Sequence, residues 1–223
     1  MKQMLKRLLY KTPFYFPMRK WWHQRRQAKK IREWESKGCP PPPPHNIKLK
    51  ILKEYADKFG LQVFVETGTA YGDMTDAMNG SFDQIYSIEL ASELFQIAKQ
   101  RFKNAKHINI IQGDSGVELN KIMKEISIPT LFWLDAHYSS GVTARGEKDT
   151  PIYEELEHIL AQKGLGHVIL IDDARCFGKD PAYPTIDELI NFVLSINDKL
   201  DINVELDGIR ITPQIEFQKQ TSL

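Results

Sequence analysis

Two cysteines, Cys39 and Cys176, are all that the 223 residues contain. They are too few for a disulfide framework and lack the paired spacing of a zinc site, so the expected setting is a reducing one, the cytoplasm. Long apolar runs are also missing. The opening MKQMLKRLLYKTPFYFPMRKWW is interrupted by Lys6, Arg7, Lys11, Arg19 and Lys20 before a secretory core or a membrane span could form. No internal repeat is present, and the net charge is only +1.

That small net charge hides an asymmetry. Residues 1–38 hold 12 Lys and Arg against two acids, Glu33 and Glu35, so the front carries +10 and the remainder −9. Trp21, Trp22 and Trp34 stand among Arg25, Arg26, Lys29, Lys30 and Arg32. Such a mixture of cations and amphipathic aromatics suits an anionic surface, and the expected contact is peripheral, at the inner face of the membrane. A solvated helix folded back on the acidic core is the plainer alternative. Nucleic acid ranks third, because no recognised binding module accompanies the basic stretch.

Prolines 40–44 favour an extended spacer and stop any helix from running through. The expected organisation is a basic aromatic arm over 1–38, a proline-rich linker over 39–46 and one core domain over 47–223. From Ile47, IKLKILKEYADKFG places Leu49, Leu52, Tyr55 and Phe59 near one helical face and closes on Gly60. Short apolar runs then alternate with helical periodicity: LQVFVE, DQIYSIE, HINIIQ, TLFWLD and HVILID. Runs without polar alternation belong to strands buried on both faces, so the fold class is α/β, a doubly wound, mostly parallel Rossmann-like sheet. The tail INVELDGIRITPQIEF reads as two strands around Asp207-Gly208, an antiparallel hairpin at one edge that brings the strands to seven.

In such a sheet ligands sit beyond the carboxyl ends of the strands. The first ends VFVETGTAYG, with Glu66, Gly68 and Gly72; the second ends IYSIEL, with Glu89; the third ends IIQGDS, with Asp114 and Ser115. The glycine spacing departs from G-x-G-x-x-G, and a carboxylate beside it disfavours a pyrophosphate. An acid about 20 residues beyond the glycines is placed to take ribose hydroxyls. Together these point to an adenosyl ligand without a pyrophosphate. The GDSG at 113–116 has the letters of a serine-protease nucleophile segment, but it closes a strand in a βαβ pattern.

From Gln62 to Pro213 the chain resembles the class I S-adenosylmethionine-dependent methyltransferases, whose first motif is an acidic residue before a glycine-rich turn. The resemblance implies that Glu66, Gly68 and Gly72 form the methionine and ribose end of the pocket, that Glu89 holds the ribose, and that Asp114 and Ser115 border the adenine. The fourth and fifth strands end WLDAH and VILIDDAR. Neighbouring strands lie about 4.8 Å apart, so Asp135, Asp172 and Asp173 can converge, and crowded carboxylates call for a hard cation such as Mg²⁺. This resembles the metal-dependent O-methyltransferases of the catechol and macrocin types, which implies that these three acids are metal ligands.

His137, two residues beyond Asp135, is the candidate general base, with a fourth metal ligand or a structural hydrogen bond as its alternatives. The macrocin-type pattern often has an acid at this position. YSSGVTARGEKDTP, bracketed by Gly141 and Gly146, suits a lid. The expected reaction is methylation of a hydroxyl on a glycan, sugar or small metabolite. An NAD(P)-dependent oxidoreductase and a non-catalytic methyltransferase-like scaffold are the rival readings. An oligomer is compatible with the sequence, which leaves the assembly state open.

Overall fold

The computed structural model describes Thr12 and residues 15–135 and 150–214. Two helices precede the sheet, α1 (Tyr15–Ser36) and α2 (His45–Phe59). Strands β1 (Val63–Thr67), β2 (Gln84–Glu89), β3 (Ile108–Gln112), β4 (Thr130–Leu134) and β5 (Val168–Ile171) then alternate with α3 (Asp73–Met78), α4 (Ser92–Arg101), α5 (Ser115–Ile122) and α6 (Ile152–Leu160). Helix α7 (Ile186–Ile196), β6 (Leu200–Glu205) and β7 (Gly208–Pro213) follow. The sheet order is β3-β2-β1-β4-β5-β7-β6, parallel from β3 to β5 and antiparallel at β7 and β6.

The unbroken apolar runs become strands covered on both faces. VFVET and TLFWL are buried at every position. Because successive side chains point to opposite faces, β4 divides itself between two cores. Phe132 and Leu134 join Leu119, Leu156, Leu189 and Val193 on the α5, α6 and α7 face. Leu131 and Trp133 join Leu52, Ala56, Met74 and Met78 on the α2 and α3 face. Helix α2 closes as expected, on a left-handed Gly60 whose N–H reaches back to the last turn.

The hairpin differs from the sequence reading by one residue. Glu205 pairs with Gly208, so Leu206 and Asp207 are the two turn residues, and both have positive φ, 49° and 62°. Two left-handed residues in a two-residue loop suit the twist of the strands they join. Asp207 is held there by other bonds. Its carbonyl accepts from Ala174 N–H at 2.9 Å, and its carboxylate accepts from Arg175 N–H at 2.9 Å and from the Arg175 guanidinium. The edge hairpin is thereby tied to the segment that leaves β5.

Parallel register aligns the functional strand ends. Thr67 pairs with Leu134 and with Ile88, and Leu134 pairs with Ile171. Glu66, Glu89, Asp135 and Asp172 therefore come out on one edge of the sheet. The Asp135 N–H donates to Thr67 O at 3.1 Å, and the Asp172 N–H donates to Leu134 O at 3.0 Å, so the ladder continues one residue past each strand.

Candidate functional site

The turn after β1 is the most unusual stretch of backbone at this edge. Gly68, Ala70 and Gly72 all have positive φ, 89°, 48° and 73°. For Ala70 this left-handed conformation is sterically costly, and it turns the Ala70 N–H onto Glu89 Oε2 at 2.7 Å. Glu89 Oε1 accepts from Ala91 N–H at 2.8 Å. Glu89 thus braces the glycine turn from the next strand, and the carboxylate keeps acceptor capacity for a further donor. Gly72 is required twice over: its φ is left-handed, and a Cβ there would lie 2.6 Å from the Phe102 ring.

Glu66 lies beneath this turn and is 2% exposed. Its Oε2 accepts from Thr75 Oγ1 at 2.5 Å and from Ser87 Oγ at 2.6 Å. Burial pushes its carboxyl up to about 7, against the pull of those two hydroxyls. Glu66 therefore organises the floor of the turn from below. Asp114 caps α5, accepting from Gly116 N–H at 2.9 Å. Ser115 is buried beside Glu155, whose carboxyl its hydroxyl pulls downward.

The exit of the glycine turn is clamped from two sides. Arg101 of α4 donates to Tyr71 O at 2.6 Å and to Asp73 Oδ1 at 2.9 Å. Arg19 of α1 donates to Asp73 Oδ2 at 2.6 Å and lies 5.1 Å from the Tyr71 ring centre. Burial alone would raise the Asp73 carboxyl, but Arg101 and Arg19 outweigh it and hold it below the usual carboxylate range. The basic arm thus touches the turn it precedes in sequence by some fifty residues.

At β4 and β5 the three expected acids do gather. Burial, with Asp172 and Asp173 beside it, pushes the Asp135 carboxyl well above the usual range. Lys48 of α2 reaches these acids: its Nζ binds Asp172 Oδ2 and lies 3.8 Å from Asp173 Oδ1. Burial opposes a charged Lys48, yet Asp172, with help from Asp135 and Asp173, raises its pKa above that of an ordinary lysine. Asp172 Oδ1 accepts from Asp173 N–H at 2.9 Å, and Asp173 Oδ1 accepts from Arg175 at 2.7 Å. Among the described residues no group of three His, Cys, Asp or Glu is arranged to hold a metal ion. The expected ligand set therefore differs in one respect: its acids are already engaged by cationic side chains of the chain itself. His137 and residues 138–149 of the expected lid lie outside the described residues.

Two participants were missed in the sequence, and both had a readable signal. Lys48 continues the α2 stripe of Leu52, Tyr55, Ala56 and Phe59. Glu155 lies in the α6 stripe of Ile152, Leu156, Ile159 and Leu160. A charged residue in an apolar stripe is carried inward with it. Glu155 is 2% exposed, its Oε1 has no hydrogen-bond partner among the described residues, and burial pushes its carboxyl up to about 7 against the pull of the Ser115 and Thr67 hydroxyls. Since Thr67 also receives the Asp135 N–H, Glu155 stands one contact behind both halves of the edge.

No protein-family model matches the chain, and no curated protein matches it in sequence. Solved structures do match in fold. An O-methyltransferase from Bacillus cereus in complex with S-adenosylhomocysteine superposes with a TM-score of 0.53 over 84% of this chain and 90% of that one, at 15% identity. The methyltransferase PaMTH1 of Podospora anserina, also bound to S-adenosylhomocysteine, gives 0.53 over 83% and 87%, at 14% identity. TomG of Streptomyces achromogenes, an O-methyltransferase of tomaymycin synthesis in complex with S-adenosylmethionine, gives 0.53 over 84% and 88%, at 15% identity. The chain has the Rossmann-like fold of the class I methyltransferases.

Glu155 supplies a test of the site's electrostatics. Its proton is held more tightly in the folded chain, so its contribution to stability is full below pH 4.5 and is lost as pH rises through about 7. Glu155→Gln removes that loss. Urea unfolding at pH 5 and pH 7.5 is expected to show the variant gaining on the wild type by up to about 3 kcal/mol at the higher pH; parallel pH dependence in the two proteins contradicts the assignment.

Proposed function

We propose that the chain is an S-adenosylmethionine-dependent O-methyltransferase acting on a hydroxyl of a glycan, sugar or small metabolite. The observation that carries the reading is the contact between Glu89 and the Ala70 amide. It fixes a ribose-type acid against a turn of left-handed residues at the first strand end of a methyltransferase-type sheet. The residues fit an adenosyl ligand: the turn carries no side chain at Gly68 or Gly72, and the Glu89 carboxylate can still accept a hydroxyl. Glu66 sits one layer below, where it shapes the turn; Asp114 and Ser115 bound the adenine side.

The cofactor, when bound, supplies an activated methyl group. The chain's part is to align an acceptor hydroxyl with that group and to receive the hydroxyl proton as the C–S bond breaks and the O–C bond forms. His137 is the proposed proton acceptor. Three carboxylates at Asp135, Asp172 and Asp173 make a donor set of the right chemistry for Mg²⁺. It does not fit the ion as arranged, because Lys48 stands between Asp172 and Asp173. No step is therefore routed through a metal.

Calorimetry tests the cofactor assignment. S-adenosylmethionine is expected to bind, NAD⁺ is not, and Glu89→Ala is expected to weaken binding at least tenfold, about 1.4 kcal/mol. Binding of NAD⁺ in its place would support the oxidoreductase reading, and binding of neither would support a scaffold.

The arm supports a peripheral contact with an anionic membrane. Among the described residues no helix is long and apolar enough to cross a bilayer. On α1, Met18, Trp21 and Trp22 are about half exposed, and Arg25 and Arg26 lie over the Trp21 and Trp22 rings at 4.2 and 4.7 Å. Aromatics that reach the interface and cations that meet lipid phosphates are the pairing this surface requires. Co-sedimentation with phosphatidylglycerol-containing vesicles is expected at low salt and to be lost in a Trp21→Ala, Trp22→Ala double variant. Equal sedimentation of both proteins rules the arm out.

A further inference from the structure

We infer that Lys48 is the resident cation of the acid cluster at the ends of β4 and β5, and that it holds the place a divalent ion would take. Three observations carry this. First, the contact is specific: Lys48 Nζ binds Asp172 Oδ2, sits 3.8 Å from Asp173 Oδ1, and lies 5.9 Å from the Trp133 ring centre. An ammonium has three donors and a compact charge, so a single lysine can serve several carboxylates. Second, the pair is inside the protein. The Lys48 side chain is 16% exposed and that of Asp172 4%. Buried acids at this spacing need a cation, and removing it leaves uncompensated charge.

Third, the lysine is delivered by packing. It belongs to α2, whose Leu52 and Ala56 are fixed in the same core as Leu131, Trp133 and Leu170. A lysine tethered in this way cannot diffuse off, as a bound metal does. Nor are the acids idle on their other sides: the Asp173 N–H occupies Asp172 Oδ1, and Arg175 occupies Asp173 Oδ1. A metal would have to displace Lys48 and compete with Arg175.

The inference rests on the methyltransferase reading in taking this cluster for the acceptor side. There Lys48 acts as a positioning residue: it fixes Asp172 and Asp173, and through them the geometry beside Asp135. The expected consequence is methyl transfer insensitive to chelators.

The test is Mn²⁺ binding, followed by electron paramagnetic resonance of the full-length protein, with S-adenosylmethionine binding measured on the same samples. Wild type and Lys48→Arg are expected to leave Mn²⁺ free. Lys48→Met and Lys48→Gln, which keep most of the side chain's length without its charge, are expected to bind Mn²⁺ at least tenfold more tightly than wild type. Micromolar Mn²⁺ binding by the wild type overturns the inference whether or not the variants fold, as does the absence of any gain in variants that fold. Loss of cofactor binding by the wild type would instead sink the methyltransferase reading, so the two failures are separable.

Discussion

The shared register of β1, β4 and β5 is the constraint on which the rest of the structure depends. Because Thr67, Leu134 and Ile171 lie side by side, the residues that follow them are delivered to one edge at one height. That edge collects Glu66, Glu89, Asp135, Asp172 and Asp173. A slip of one residue in β4 would exchange its two faces and turn Trp133 and Asp135 away from α2. Apolar burial on both sides of the sheet forbids such a slip, so the core that stabilises the fold also sets the position of the chemistry.

Concentrating acids at a buried edge creates an electrostatic problem, and the chain meets it locally at each acid. Glu66 is held by the Thr75 and Ser87 hydroxyls, Glu89 by backbone N–H groups, Glu155 lies beside the Ser115 and Thr67 hydroxyls, and Asp172 is held by Lys48 and the Asp173 N–H. The surroundings of Glu66 and Glu155 differ in kind from those of Asp172. Burial leaves Glu66 and Glu155, beside neutral hydroxyls, with carboxyls raised to about 7, whereas Asp172 has a cation, Lys48, as its partner. The acids of the cofactor side thus meet neutral donors, and those at the ends of β4 and β5 meet cations. The arm adds a further link. Through Arg19 it shares Asp73 with Arg101, so the arm ends on the turn that would hold the cofactor.

Most of the fold was legible because its strands are unbroken apolar runs and its helices end on clear signals such as Gly60. The hairpin turn was displaced by one residue, since Asp207 is held by Ala174 and Arg175, which the local pattern does not contain. The glycine turn and Glu89 were legible from spacing. Their mutual contact was not, because it depends on Ala70 adopting a left-handed conformation that its residue type disfavours. Asp135 and Asp172 were legible as neighbours from strand order, but their partner was not. Lys48 precedes the first strand and comes to the cluster only through the packing of α2, a contact spanning 124 residues. Both Lys48 and Glu155 showed themselves only as charges out of place in an apolar stripe.

The most direct measurement is a crystal structure of the protein with S-adenosylhomocysteine. In that complex the ribose hydroxyls are expected on Glu89, the amino acid end over residues 68–72, and the sulfur facing Asp135 with Lys48 still on Asp172. Ligand bound away from the 68–72 turn, or a metal ion seated between Asp135 and Asp172 with Lys48 displaced, would contradict it.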